Sequence, residues 1–281
     1  MIRIASPSEM QLRVLEMRRQ GLKIGFVPTM GALHEGHMSL VKIARGLSDV
    51  VVVSVFVNPI QFGPSEDYAR YPRDIERDSA MCEAAGVGVF FAPEARDMYL
   101  PDSSVYVVEE RLSTGLCGAF RPGHFRGVLT VVAKLFNMIQ PHLAVFGQKD
   151  AQQARVVKRM VRDLNFPIEI VVAPTYREAD GLAMSSRNAY LSPSERRVAP
   201  GLYAALKETE KAFLGGERNA RVLRNIAIGK LARTPEFRVE YLELVDDETL
   251  ERVETVSRPA LVAAAVHLGR TRLIDNIVLS P

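Results

Sequence analysis

Between Asp49 and Val57 the chain runs DVVVVSVFV, an apolar, β-branched stretch that does not alternate with polar residues. A strand with one wet face alternates, because successive side chains point to opposite sides of a sheet; a continuous run needs cover on both faces. That places Asp49–Val57 at the centre of a parallel sheet with helices above and below. The run is also far below the roughly 18 apolar residues that a membrane span requires.

The neighbouring segments supply the rest of such a sheet. A short apolar run at Lys23–Val27 is followed by a glycine-punctuated segment and a helical pattern through Leu40, Val41 and Ala44. A helix is expected near Asp74–Ala85, a strand at Val87–Phe91, a helix near Val128–Ile139 and a strand at His142–Phe146. Val156, Val157, Met160, Val161 and Leu164 share one face of a further helix, and Ile168–Val172 reads as the next strand. Strand and helix in alternation force right-handed crossovers and an α/β, doubly wound parallel sheet. Past about Asp180 the pattern changes to helices at Ser194–Leu214 and Arg218–Leu231, then strands at Phe237–Leu244, Leu261–His267 and Leu273–Leu279. This predicts two domains, 1–175 and 176–281, the second smaller and α+β, with the boundary in Ala173–Arg177.

Composition narrows the partners. The 281 residues are 47% hydrophobic and 25% charged, an ordinary balance for a soluble globular chain. Lys and Arg total 36 against 33 Asp and Glu, and a net charge of +3 is too small for a nucleic-acid wrap or an anionic membrane surface. Cys82 and Cys117 lie far apart with no CxxC spacing, so neither a disulfide scaffold nor a structural zinc site is indicated. The first twenty residues lack the apolar core of a secretory signal, so the expected location is the cytoplasm.

The chemistry concentrates at strand ends. Phe26–His37, FVPTMGALHEGH, lies where the first strand gives way to the first helix, the edge at which open α/β sheets bind ligands. Gly31 and Gly36 permit close backbone approach, and a helix starting near Gly36 aims free N–H groups and its positive dipole end at an anion such as phosphate. His34 and His37, three apart, share a face of the first turn and can both donate to phosphate oxygens. Gly31 and Gly36 have P-loop spacing, but His37 and Met38 replace its lysine and hydroxyl residue. Met38 likewise stands where a zincin needs its second histidine.

GQKD at Gly147–Asp150 follows another strand at the same edge. Lys149 is a mobile point charge suited to a polyphosphate; Asp150 suits a ribose hydroxyl or, equally, a helix N-cap. Gln153 lies one turn on and points back at the same edge or into solvent. MSSRN at Met184–Asn188 puts two hydroxyls and an arginine on a loop between the domains, either a lid over phosphates or a plain linker. Asn58 and Gln61 of NPIQFG, and Arg121 of RPGHF, each have a bland reading as caps or surface charge. Their weight comes from all these segments ending at one edge of one sheet.

PTMGALHEGH, VNPIQFG, LCGAFRPGHF, FGQKDAQQ and DGLAMSSRNAYLS, in this order, resemble the pantoate–β-alanine ligase family over essentially the whole chain. That family belongs with the HxGH nucleotidylyltransferases. The resemblance implies a Rossmann-like domain with a smaller C-terminal domain, a cytoplasmic homodimer, and an Mg²⁺-dependent reaction of ATP, (R)-pantoate and β-alanine through a pantoyl adenylate. It implies His34, His37 and Lys149 as catalytic groups, with His37 as proton donor. ATP would lie against Met30, Gly31, Ala32, Leu33, His34, Glu35, Gly36 and His37, and against Gly147, Gln148, Lys149 and Asp150. Met184, Ser185, Ser186 and Arg187 would clamp the triphosphate, and the backbone of Tyr176 would meet adenine. Gln61 and Gln153 would bind pantoate, Gln61 also serving β-alanine, with Asn58, Tyr71 and Arg121 as neighbours. Two other readings fit the same residues: an HxGH enzyme that transfers AMP to a phosphate ester, and a non-catalytic nucleotide sensor.

Overall fold

The computed structural model describes residues 1–64 and 66–281. Its first part is built on strands β1 (Ile2–Ile4), β2 (Ile24–Thr29), β3 (Val50–Val55), β4 (Val89–Phe91), β5 (Leu143–Gly147) and β6 (Glu169–Ala173). All pair in parallel, in the spatial order β1-β4-β3-β2-β5-β6. The connecting helices are α1 (Pro7–Arg19), α2 (Glu35–Leu47), α3 (Ile75–Ala84), the short α4 (Ala95–Met98) and α5 (Cys117–Phe120), α6 (His124–Ile139) and α7 (Ala151–Asp163).

The unbroken valine run does what its composition requires. Val52 packs on one face with Ile24, Phe26, Phe146 and residues of α1, α6 and α7; Val51, Val53 and Val55 pack on the other with Val27, Val145 and residues of α2 and α3. The sheet therefore has two cores and is doubly wound, as the sequence predicts. Chain order reverses between β2 and β5, leaving a crevice at their carboxyl ends.

The second part comprises α8 (Pro193–Val198), α9 (Gly201–Leu214), α10 (Ala220–Leu231) and an antiparallel sheet of β7 (Phe237–Asp246), β8 (Ala260–Leu268) and β9 (Thr271–Leu279), in that order. It has its own core, with Leu202, Leu206, Leu223 and Leu231 packed against Leu242, Val262, Ala264 and Val266. A small cluster of Leu116, Ala151, Val245, Leu261 and Ala263 joins the two parts.

Three differences from the sequence reading have local causes. The helix expected over Ser194–Leu214 is two helices, because Pro200 has no N–H to continue the ladder and caps α9 instead. α6 starts at His124 rather than near Val128, with Gly123 at φ +80° turning the chain into the helix. β1 and α1 were not anticipated; α1 opens on Ser6, whose hydroxyl accepts the Glu9 N–H, but buries only a narrow stripe of Met10, Val14 and Met17 among charged residues.

Candidate active site

At the end of β2 the Thr29 hydroxyl donates to the Ser54 carbonyl (2.7 Å) and accepts the Gly31 N–H (3.2 Å), turning the chain sharply over β3. Gly31 has φ +82°, and a Cβ there would meet Asp78 Oδ2 and Val55 Cγ1, both at 2.9 Å, so the position needs glycine. Ala32 follows at φ +51°. What holds it there is Asp78 of α3, whose buried carboxylate accepts the Ala32 N–H at 2.9 Å and the Leu33 N–H at 2.8 Å. Burial nevertheless raises the Asp78 pKa. Sequence reasoning missed this residue: an acid in the first turn of a helix reads as a dipole partner, and its actual targets are backbone groups 45 and 46 residues away.

The loop delivers His34 as the residue that precedes α2. The backbone N–H of His34 donates to His37 Nδ1 at 3.3 Å, and the two imidazole centroids are 4.0 Å apart. Because His37 Nδ1 accepts a hydrogen bond, the proton of the neutral ring sits on Nε2. Burial, then the proximity of His34 and of Lys149, lowers the His37 pKa to about 3. Burial and Lys149 likewise lower His34 to about 4, with Glu178 opposing. His34 Nδ1 is buried without a hydrogen-bond partner among the described residues.

Lys149 comes from a one-turn 3₁₀ helix, Gln148–Asp150, between β5 and α7. Asp150 stands at the N-cap position of α7 but makes no capping hydrogen bond with its side chain, so the cap does not account for it.

A cleft of about 220 Å³ over the ends of β2 and β5 brings most of the expected residues together. Its walls include Met30, His34, Gly36, His37, Asn58, Gln61, Tyr71, Gly147, Lys149, Asp150, Gln153, Tyr176, Met184, Ser185, Ser186 and Arg187. Gly31, Ala32 and Leu33 are buried beneath it rather than in its wall, and Glu35 is exposed. Gln148 turns away: its amide nitrogen donates to Asn276 Oδ1 at 2.8 Å. Arg121 lines a neighbouring cavity of about 370 Å³ between the two parts of the chain, which shares Lys149, Asp150, Gln153, Ser185 and Arg187 with the cleft.

Several of these side chains are already engaged. Asn58 is 1% exposed; its amide nitrogen donates to Gln61 Oε1 and the Gly127 carbonyl, and its oxygen accepts from the Tyr99 hydroxyl. It fixes the Gln61 amide, whose Nε2 contacts Met30 Sδ. His124 supports the same segment, donating from Nδ1 to the Gln61 carbonyl (2.9 Å) while Nε2 accepts from Arg121 (3.0 Å). Arg121 forks onto Glu66, and Arg187 forks onto Asp67 with both bonds at 2.9 Å. Tyr71 and Ser186 place their hydroxyl oxygens 3.3 Å apart, and the Tyr176 carbonyl accepts the Met184 N–H. Met184 Sδ in turn receives the Gly36 N–H at 3.4 Å, so the Met184–Arg187 loop closes directly onto the start of α2.

Residues 3–278 match the family described as pantoate-β-alanine ligase. A relative from Thermotoga petrophila named pantothenate synthetase is 56% identical, the match covering 98% of this chain and 99% of the relative. The crystal structure of pantothenate synthetase from Thermus thermophilus is 47% identical with a TM-score of 0.93 and complete coverage of both chains. That of pantoate-β-alanine ligase from Francisella tularensis, complexed with β-γ ATP and β-alanine, is 33% identical with a TM-score of 0.81, covering 99% of this chain and 97% of the other. The fold, the cleft and these likenesses agree over the full length, and the chain belongs to the pantoate–β-alanine ligase family.

Proposed function

We propose that this cleft condenses (R)-pantoate with β-alanine at the expense of ATP, through an enzyme-bound pantoyl adenylate, releasing AMP and pyrophosphate. The observation that carries the reading is the convergence of His34, His37 and Lys149, from two separate strand ends, on one cleft at the crevice where strand order reverses. A carboxylate is a poor acylating agent. It must first attack the α-phosphorus, and fixed donors must meet the charge that builds on the phosphate oxygens. His37 suits this as a neutral Nε2–H donor locked in its tautomer by the His34 N–H. An anionic phosphate opposite the ring raises its depressed pKa, so the ring can take up from solvent the second proton that it must carry before it can hand one to the departing pyrophosphate.

Met30–His37 and Gly147–Asp150 cradle ATP in this reading, with the Asp150 carboxylate on the ribose and Tyr176 beside adenine. Met184, Ser185, Ser186 and Arg187 close over the triphosphate, which competes with Asp67 for the Arg187 guanidinium. Gln61 and Gln153 orient pantoate as neutral donors that leave its carboxylate nucleophilic, and Gln61 then meets β-alanine. Asn58 acts by holding Gln61; Tyr71 anchors Ser186; Arg121 faces the adjoining cavity. Among the described residues no group of three or more His, Cys, Asp or Glu is arranged to hold a metal. That suits Mg²⁺ carried mainly by phosphates and water, where it would neutralise charge on the triphosphate. The division at 175/176 makes the C-terminal part the domain that covers the site. A cytoplasmic homodimer completes the proposal; no helix among the described residues is long and apolar enough to cross a membrane.

The test is to incubate the purified chain with ATP, Mg²⁺, pantoate and β-alanine, omitting each in turn. AMP and pantothenate should appear in equal amounts and only with all four present. AMP retained on an acceptor, or turnover indifferent to β-alanine, would replace the ligase by a nucleotidylyltransferase.

A further inference from the structure

Lys149 is presented by a single turn, and that turn takes much of its support from outside the parallel sheet. Asn276 on β9, 4% exposed, gives all of its side-chain hydrogen bonds among the described residues to this turn. Its Nδ2 donates to the Gln148 carbonyl at 2.9 Å and to the Lys149 carbonyl at 3.0 Å, while its Oδ1 accepts from Gln148 Nε2 at 2.8 Å. Both amide protons are therefore spent on consecutive carbonyls of the residues that flank and carry the ammonium. The neighbouring Asp275, pointing to the other face of the strand, holds Arg177 at the base of the hairpin that leads into the second loop. It accepts two bonds from Arg177, at 2.7 and 2.9 Å, and Arg177 also donates to the Gly181 carbonyl and stacks on the Tyr203 ring. Arg177 and Ala183 bridge the base of the hairpin that leads into Met184–Arg187. Asp275 and Asn276 pair across the sheet with Ala264 and Ala263 of β8, small side chains that leave room for buried polar groups.

An interface amide with a purely structural role would be satisfied by whatever lay opposite. Here one dipeptide holds the turn that carries Lys149 directly and, through Arg177, the base of the hairpin that leads into Met184–Arg187, one from each face of a single strand. We infer that Asn276 is a positioning residue for Lys149, setting the ammonium against the phosphates, with Asp275 setting the Met184–Arg187 loop at a fixed distance from it. The inference rests on Lys149 being a phosphate-contacting group, and the test separates the two claims.

Asn276→Ala and the isosteric Asn276→Asp both remove the two donors to the carbonyls. Each should lower kcat by about 10- to 100-fold, the loss expected when a reacting group is misplaced by about an ångström, while KM for pantoate moves by less than about 3-fold. Lys149→Ala should be slower still. In Lys149→Ala, adding Asn276→Ala should change kcat by no more than about 2-fold, because residues acting through one another are not additive. If Lys149→Ala keeps wild-type kcat, the phosphate reading of Lys149 fails first. If Lys149→Ala is slow but both Asn276 variants are fully active, or their loss multiplies onto that of Lys149→Ala, the positioning role is overturned. Loss of the folded state in both variants, read by circular dichroism, would assign Asn276 to folding alone and overturn it equally.

Discussion

His37 is neutral at pH 7 because partial burial in the cleft wall strips hydration from the charged ring and sets it beside another imidazole and an ammonium. An imidazole in the unfolded chain binds a proton near pH 6.5, whereas His37 in the folded chain does so only at about 3. Between those values the unfolded chain holds more protons, so this group's contribution to stability is present above pH 6.5 and lost as pH falls towards 3. Replacing His37 by Gln should therefore flatten the fall of Tm between pH 6.5 and 4 relative to wild type, measured without nucleotide; parallel curves would contradict the burial-driven shift. The two histidines were legible because their spacing sits at a strand-to-helix junction, where a polar loop has a reason to be. Asp78 and Asn276 were not, because each acts on backbone groups far away in sequence and no side-chain pattern records such a partner.

The element that carries the site is the join of β2 to α2, and it depends on an absent side chain. A Cβ on Gly36 would lie 2.9 Å from both Cε1 and Nδ1 of His34, so the ring must swing away if alanine is introduced. The backbone itself loses nothing, since Gly36 is not in the left-handed region and alanine favours the helix by about 0.4–1 kcal/mol. Gly36→Ala should thus keep or raise Tm while cutting condensation by about 10- to 100-fold, a split that thermal melts and steady-state rates on one preparation would show. Wild-type turnover would mean that the His34 ring position is unimportant. At this scale much was readable in advance: the valine run fixed β3, and the alternation around it fixed the neighbouring strands. Pro200 and Gly123 moved helix ends because a missing N–H and a left-handed turn act on single residues, below the reach of a periodicity argument.

For the molecule as a whole, parallel strands in the order β1-β4-β3-β2-β5-β6 leave one crevice at the carboxyl edge, and the segments that carry the cleft end there. The α/β class and the later α+β part followed from the change of pattern near Asp180. How the two parts meet did not, because their junction combines the small apolar cluster around Ala151, Val245 and Ala263 with Asn276 on the 148–150 turn and Arg155 of α7 on Asp247, single contacts that leave no periodic trace. The central claim is that donors from β2–α2 and β5–α7 act together on a nucleotide to activate an acid before any amine is involved. The most direct measurement is exchange of labelled pyrophosphate into ATP with pantoate present and β-alanine absent. Wild type should exchange only when pantoate is added, and His34→Ala, His37→Ala and Lys149→Ala should each slow the exchange by about 100-fold or more, the loss typical of removing one oriented donor. Exchange near the wild-type rate in all three folded variants would contradict the account.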